Sequence, residues 1–171
     1  MSSSLSLFVN GQAVPQGSKI AFRYVPKGET KGRLGVREVA GDALTRWRHT
    51  IVDRALTARE NHPDWRTERN MEEAYAVRLD FYIMRPKSHY LPANSKRPVP
   101  ELKPGALAYP IGMPDVDKLT RAVLDGLTTA GIWFDDSQVI EVQATKHFSD
   151  GLLGELSQPG CLITVTKMLD L

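Results

Sequence analysis

The sequence predicts an α+β fold: one domain spanning residues 1–171, with a mixed β-sheet and two main helices packed on it. Three observations carry this expectation. A chain of 171 residues with 42% hydrophobic content fits one globular unit that buries its own core. Strand-like alternating stretches are scattered around two runs of helical periodicity, rather than alternating with them regularly. The chain shows no internal repeat and no interdomain linker, only one long loop at about residues 85–113.

The elements follow in order. "LSLFVNG" reads as a first strand ended by Gly11. "KIAFRYV" reads as a second, with "PKGETKGRLG" as a loop or hairpin tip before "VREVA". Asp42 is placed to cap a helix from about Ala43 to Arg59, whose apolar Leu44, Trp47, Ile51 and Ala55 recur at spacings of three and four. "NHPDWRTERN" breaks that helix. In "YAVRLDFYIM", Val77, Leu79, Phe81 and Ile83 alternate with Arg78, Asp80 and Tyr82, the pattern of a strand with one buried face. The Pro-rich segment from Arg85 to Pro114 holds seven prolines and little apolar periodicity. A loop of this length in a small domain points to function or disorder. A second helix over about Val116–Thr129 and two closing strands, "VIEVQATKHF" and "CLITVTKM", complete the order.

Composition narrows the chemistry. No stretch approaches the ~18 apolar residues of a membrane span, and "MSSSLSLFVN" lacks the charged and apolar regions of a signal peptide, so the expectation is a cytoplasmic protein with no membrane partner. Cys161 is the sole cysteine, which excludes an intramolecular disulfide and a cysteine-based zinc site. The histidines His49, His62, His89 and His147 are scattered and read as surface or substrate-facing residues rather than metal ligands. Trp47 and Trp65 read as core.

The net charge of +2 hides an uneven distribution. Six bases face two acids between Gly17 and Glu38, and five bases (Arg85, Lys87, Lys96, Arg97, Lys103) face Glu101 alone between Arg85 and Lys103. From Asp115 to Asp136 five aspartates outnumber Lys118 and Arg121. Phosphates attract bases, whereas concentrated carboxylates are costly unless a cation neutralises them. The pattern points to a polyanionic substrate and a metal held by oxygen.

The acidic centre lies in "PDVDKLTRAVLDGLTTAGIWFDDSQV". Pro114 stops the preceding element and Asp115 is a good N-cap. Val116, Leu119, Val123, Leu127 and Ala130 form the expected core stripe, with Asp117, Arg121 and Asp125 on a more exposed line, where Asp117 and Arg121 can pair. Read singly, Asp115 is a cap, Asp117–Arg121 an exposed ion pair, and Asp135 and Asp136 turn residues. Together with Trp133 and Phe134 as a buried anchor, they suggest that helix mouth and strand entry converge. Three converging carboxylates suit Mg²⁺ or Mn²⁺ chemistry on phosphodiesters, with a nearby base to stabilise the transition state.

"PDVDKLTRAVLDGL", "GIWFDDSQV" and Lys146 resemble the signature of the RusA family of Holliday-junction resolvases, found in bacteria and their prophages. The resemblance is dense over Pro114–Lys146. It extends loosely to "FVNGQAVPQGS", "FYIMRPKSHY" and a closing strand. It implies a homodimeric, Mg²⁺-dependent endodeoxyribonuclease of recombination and repair, with Mn²⁺ as substitute, that resolves four-way DNA junctions by paired symmetric nicks. It assigns metal binding and catalysis to Asp115, Asp117 and Asp136, joined by the catalytic cation at the position of Arg121. The DNA contacts expected beside them are Lys87, Lys96, Arg97, Lys103, Lys118 and Lys146. The family pattern has lysine where this chain has Arg121, and asparagine where it has Lys118. Arginine keeps the charge but does not readily give up a proton. The alternatives are a metal-dependent nuclease for other branched or flapped DNA and a junction-binding protein that does not cut.

Overall fold

Alternation decides which face of each long strand enters the core, and the computed structural model shows the outcome. It describes residues 3–17, 19–38, 41–65, 70–92, 101–150 and 157–168, without the side chains of 19–20 and 36–38. The elements are β1 (Ser4–Asn10), β2 (Lys19–Tyr24), β3 (Arg33–Glu38), α1 (Gly41–Asn61), β4 (Ala74–Ile83), α2 (Val116–Thr129), β5 (Val139–Phe148) and β6 (Gly160–Met168). Four strands form one sheet in the order β1-β6-β4-β5. Strand β6 is antiparallel to both β1 and β4, while β4 and β5 run parallel. A parallel pair needs a long crossover, and here the Pro-rich loop and α2 supply it. The fold is the expected α+β arrangement with a mixed sheet.

Both helices cover one face of this sheet, α1 beside β1 and α2 beside β5. Leu5, Leu7 and Val9 of β1, Val77, Leu79 and Phe81 of β4, and Ile163 and Val165 of β6 are buried against the apolar sides of the helices. Each such side chain contributes about 1.5–3 kcal/mol when fully buried. The helices touch each other closely at Gly126, where a Cβ would lie 2.8 Å from Cγ2 of Ile51. Glycine costs about 1 kcal/mol in a helix interior, and the close approach it permits offsets that. The opposite sheet face is hydroxyl-rich, with Ser4 hydrogen-bonded to Thr166 at 2.9 Å and Ser6 to Thr164 at 3.1 Å.

Several boundaries differ from expectation. Helix α1 begins at Gly41, whose φ is +40°, so Asp42 sits inside the first turn instead of capping it; there it still favours the positive helix end. Leu44, Trp47, Ile51 and Ala55 are buried as predicted, and so is Trp65. On α2, Val116 is exposed at the helix mouth, and Ala122 and Gly126 join Leu119, Val123 and Leu127 in the core. Residues Arg33–Gly35 belong to β3, because β2 and β3 form a hairpin sheet of their own.

The described parts of the Pro-rich loop make contacts of their own. A single 3-10 turn covers Lys87–His89, and Tyr90 bridges Leu102. Arg85, counted among the substrate-facing bases, is instead buried. It donates to Asp150 and to the Leu107 carbonyl and lies 3.8 Å over the Phe148 ring. Two histidines also have packing roles: His89 meets Phe148 edge-on, and His147 stacks on Tyr82 at 5.5 Å.

Candidate active site

Helix α2 presents its first carboxylates through its N-terminus. Asp115 occupies the N-cap position with extended backbone, but its side chain makes no capping bond. Lys118 takes that carboxylate instead, donating to Oδ2 at 2.7 Å across the i, i+3 spacing. This hydrogen bond, together with the lysine charge and a smaller contribution from Lys146, holds the Asp115 carboxyl below its ordinary pKa. The same bond and the Asp115 charge raise Lys118, with Asp117 adding to the effect. Lys118→Met therefore raises the Asp115 pKa toward the ordinary ~3.9, which a carboxyl NMR titration reads. An unmoved titration would separate the two groups. Because the pKa is depressed in the folded chain, the pair stabilises above the unfolded carboxylate pKa and is lost as pH falls through the folded one.

Behind the mouth, Lys146 of β5 donates to the carbonyls of Gly112 at 2.8 Å and Pro114 at 2.9 Å. It fixes the turn that delivers Asp115. The N-terminal segment closes the other side, where the Gln16 amide donates to the Lys118 carbonyl at 3.0 Å. The Gln16 Oε1 is buried without a hydrogen-bond partner among the described residues. Asp117 is exposed one position into the helix, and Arg121 is exposed one turn on. Among the described residues no ion pair joins them. The short i, i+3 spacing favours Asp115–Lys118 instead.

The second acidic pair divides its work. Trp133 is fully buried and donates to Thr128 Oγ1 at 2.7 Å, while Phe134 stays exposed, so one ring and not two anchors the turn. Asp135 caps the single 3-10 turn Asp136–Gln138 in a capping box with Gln138, accepting from the Ser137 amide at 2.9 Å. Ser137 keeps the Asp135 carboxyl below its ordinary pKa. Gln138 Nε2 ties the turn to the carbonyls of Asn70 and Glu73, each at 2.9 Å. Asp135 is thus structural, and Asp136 projects into an open cleft with Arg48, Asp125, Thr128 and Thr129. In that cleft Asp125 pairs with Arg48.

The two acidic groups do not converge within one chain. Strand β5 leaves the C-terminal end of α2 and runs back along it until Lys146 reaches Pro114. Asp136 shares its cleft with the last turns of α2, whereas Asp115 and Asp117 stand at the first. From Asp117 to the Asp125–Thr129 stretch beside Asp136 the helix rises about 12–18 Å. The donor atoms suit a hard divalent cation, being carboxylate oxygens near an open surface. Yet among the described residues no three His, Cys, Asp or Glu side chains are grouped to hold a metal ion.

Of the expected DNA contacts, Lys87 and Lys103 are exposed on the loop, and Lys118 and Lys146 are engaged as above. Lys96 and Arg97 lie outside the described residues. One polar cluster escaped the sequence reading. Asp80 is buried on the hydroxyl-rich face, accepting from Thr145 at 2.5 Å and Arg78 at 3.0 Å. Burial pushes its carboxyl up, but those bonds and the charges of Arg78 and His147 outweigh it and leave the pKa lowered. Alternation marked Asp80 as outward-facing, and no local signal announced its partners on β5.

Exposed carboxylates at a helix mouth, interleaved with lysine on an α+β domain, suit a hydrolase acting on phosphodiesters. Residues 29–153 match the family described as Endodeoxyribonuclease RusA. The match covers most of the chain, which belongs to the RusA endodeoxyribonuclease family. It is a hydrolase that acts on DNA, from a family that acts on branched DNA junctions. Comparison with curated proteins returned no match. Among the described residues no helix is long and apolar enough to cross a membrane.

Proposed function

We propose that the protein resolves four-way DNA junctions in the cytoplasm by paired symmetric nicks in a Mg²⁺-dependent reaction, in recombination and repair. The observation that carries the reading is the Asp115 carboxylate, uncommitted to capping and paired with Lys118, beside exposed Asp117 at a helix mouth that Lys146 and Gln16 hold in place. Mg²⁺, or Mn²⁺ in its stead, would be held by Asp115, Asp117 and Asp136, and when bound supplies charge that offsets the developing phosphorane and a water of lowered pKa. Lys118 lowers the Asp115 pKa further below its ordinary value, and Lys146 keeps its backbone in place. Arg121, exposed and carrying no ion pair among the described residues, is available to bind a phosphate oxygen.

The carboxylates complete one centre when the chain acts as a homodimer, Asp136 of one copy meeting Asp115 and Asp117 of the other. Strand β5 supports that arrangement. Among the described residues it pairs with β4 alone, and Ile140 and Val142 are 64% and 42% exposed beside α2. An open edge with apolar side chains is a surface that another chain covers.

The testing experiment is single-turnover cleavage of a synthetic mobile four-way junction with Mg²⁺, with cuts mapped on all four strands. Symmetric nicks are expected on two opposing strands. Flaps cut as fast as junctions would point to a general branched-DNA nuclease, and tight binding without nicking at any Mg²⁺ or Mn²⁺ level to a binding protein. In the same assay Arg121→Ala loses about 10²–10³-fold in rate, as for one preorganised donor, while Arg121→Lys retains most activity. An alanine variant at the parent rate would remove Arg121 from the site.

A further inference from the structure

The β2–β3 hairpin has a surface that the active site does not use. No residue from 21 to 35 is buried, although a lone two-stranded hairpin is marginally stable in water. Such a ribbon gains by lying against a partner. Its register places Phe22 opposite Gly35 and Tyr24 opposite Arg33, and alternation puts all four on one face. The Phe22 and Tyr24 rings stand 5.8 Å apart at 38°, and they are 39% and 45% exposed. Gly35 accounts for how Phe22 lies, since a Cβ there would come within 2.7 Å of the ring. The ring thus spreads across the neighbouring strand. That covering gives Phe22 a packing role, while Tyr24 packs on the Phe22 ring and remains exposed.

Charge selects the partner. The segment Gly17–Glu38 carries six bases against two acids. One acid, Glu29, is taken by Arg33 in a two-pronged bond of 2.7 and 3.1 Å. Basic side chains interleaved with exposed rings are the pattern of single-stranded nucleic-acid recognition, in which bases stack on rings while phosphates meet lysine and arginine. A protein partner of ordinary composition would not call for this charge. The centre of an opened junction offers what the ribbon fits: unstacked bases within a dense field of phosphate.

We propose that the β2–β3 ribbon is a second DNA-contacting element, on which Phe22 and Tyr24 stack unpaired bases at the branch point. The proposal rests on the reading of the protein as a junction enzyme but is tested through binding alone. Fluorescence anisotropy compares three labelled DNAs: a four-way junction with unpaired thymines at its centre, an oligothymidine, and a perfect duplex of the same length. The double variant Phe22→Leu/Tyr24→Leu keeps apolar residues on the strand. It should lose about tenfold or more in affinity for the two DNAs with unpaired bases. Duplex affinity should stay within about twofold and the salt slope should not change, because no phosphate contact is removed.

Gly35→Val, which displaces Phe22 without altering either ring, should shift affinity in the same selective direction. Far-UV circular dichroism confirms the fold of each variant, and the single substitutions serve if the double variant does not fold. Unchanged affinity for all three DNAs overturns the proposal, as does an equal loss on duplex and unpaired DNA. A fall in dimer mass in sedimentation velocity would also overturn it, by assigning the ribbon to a second copy of the chain. If the parent cuts no junction yet the selective loss appears, the ribbon's role stands and the assignment of cleavage falls.

Discussion

Asp117→Asn lowers single-turnover cleavage of a four-way junction by about 10⁴-fold, the scale on which loss of one catalytic carboxylate acts in a hydrolase. Binding of the same junction is at least as tight as by the parent. The substitution removes a charge that a metal needs and that phosphate opposes, so the two readouts move apart. Asp117 is exposed and makes no ion pair among the described residues, so the fold survives the change. Loss of binding together with cleavage and a falling melting temperature would make Asp117 structural instead.

The same variant tests how the site is shared. In the proposed homodimer, mixing it with Asp136→Asn under conditions that exchange subunits gives a species with one substitution on each copy. In a centre built from two chains, one site then loses both carboxylates and the other regains both, so a single-strand nick returns. In a centre built from one chain, both sites stay impaired and no nick returns. The geometry of α2 predicts the first outcome.

The second large effect concerns stability. Arg85→Ala should destabilise the fold by about 3–5 kcal/mol, the cost of removing one partner from a buried ion pair. The guanidinium is buried against Phe148, faces Asp150 and reaches the Leu107 carbonyl. It therefore clamps the end of β4 to the loop and to the end of β5. Urea denaturation reads the loss as a lowered midpoint at unchanged slope. Asp150→Asn in the Arg85→Ala background should recover part of the loss by removing the buried charge. A midpoint that does not move would show the loop to be held elsewhere.

Arg85 also shows where sequence reasoning stopped. Between Arg85 and Lys103 every base looked alike, because the partner that buries Arg85 lies 65 residues further along the chain. Periodicity was a better guide within elements. It located the buried face of α1, the span of α2 and the alternation of β4, since each depends on neighbours two to four residues apart. It failed at Val116, which has helical spacing but lies beyond the edge of the core. Asp115 was legible as an N-cap by position, while its bond to Lys118 was missed in favour of Asp117–Arg121. Convergence of the acidic pairs was inferred from closeness along the chain. A helix between them makes neighbours in sequence distant in space, and only the direction of β5 reveals this.

That helix has one more consequence. If each centre takes Asp115 and Asp117 from one end of α2 and Asp136 from the far end of its counterpart, two such rods lie head to tail between the centres. The helix then acts as a ruler. The rise from Asp117 to the turns beside Asp136 would then set the spacing of the two scissile phosphates on the order of 12–18 Å, before any base is read. In that arrangement a choice of DNA shape would be written into the length of a secondary-structure element, and the apolar residues that bury α2 against the sheet would be determinants of where the two strands are cut.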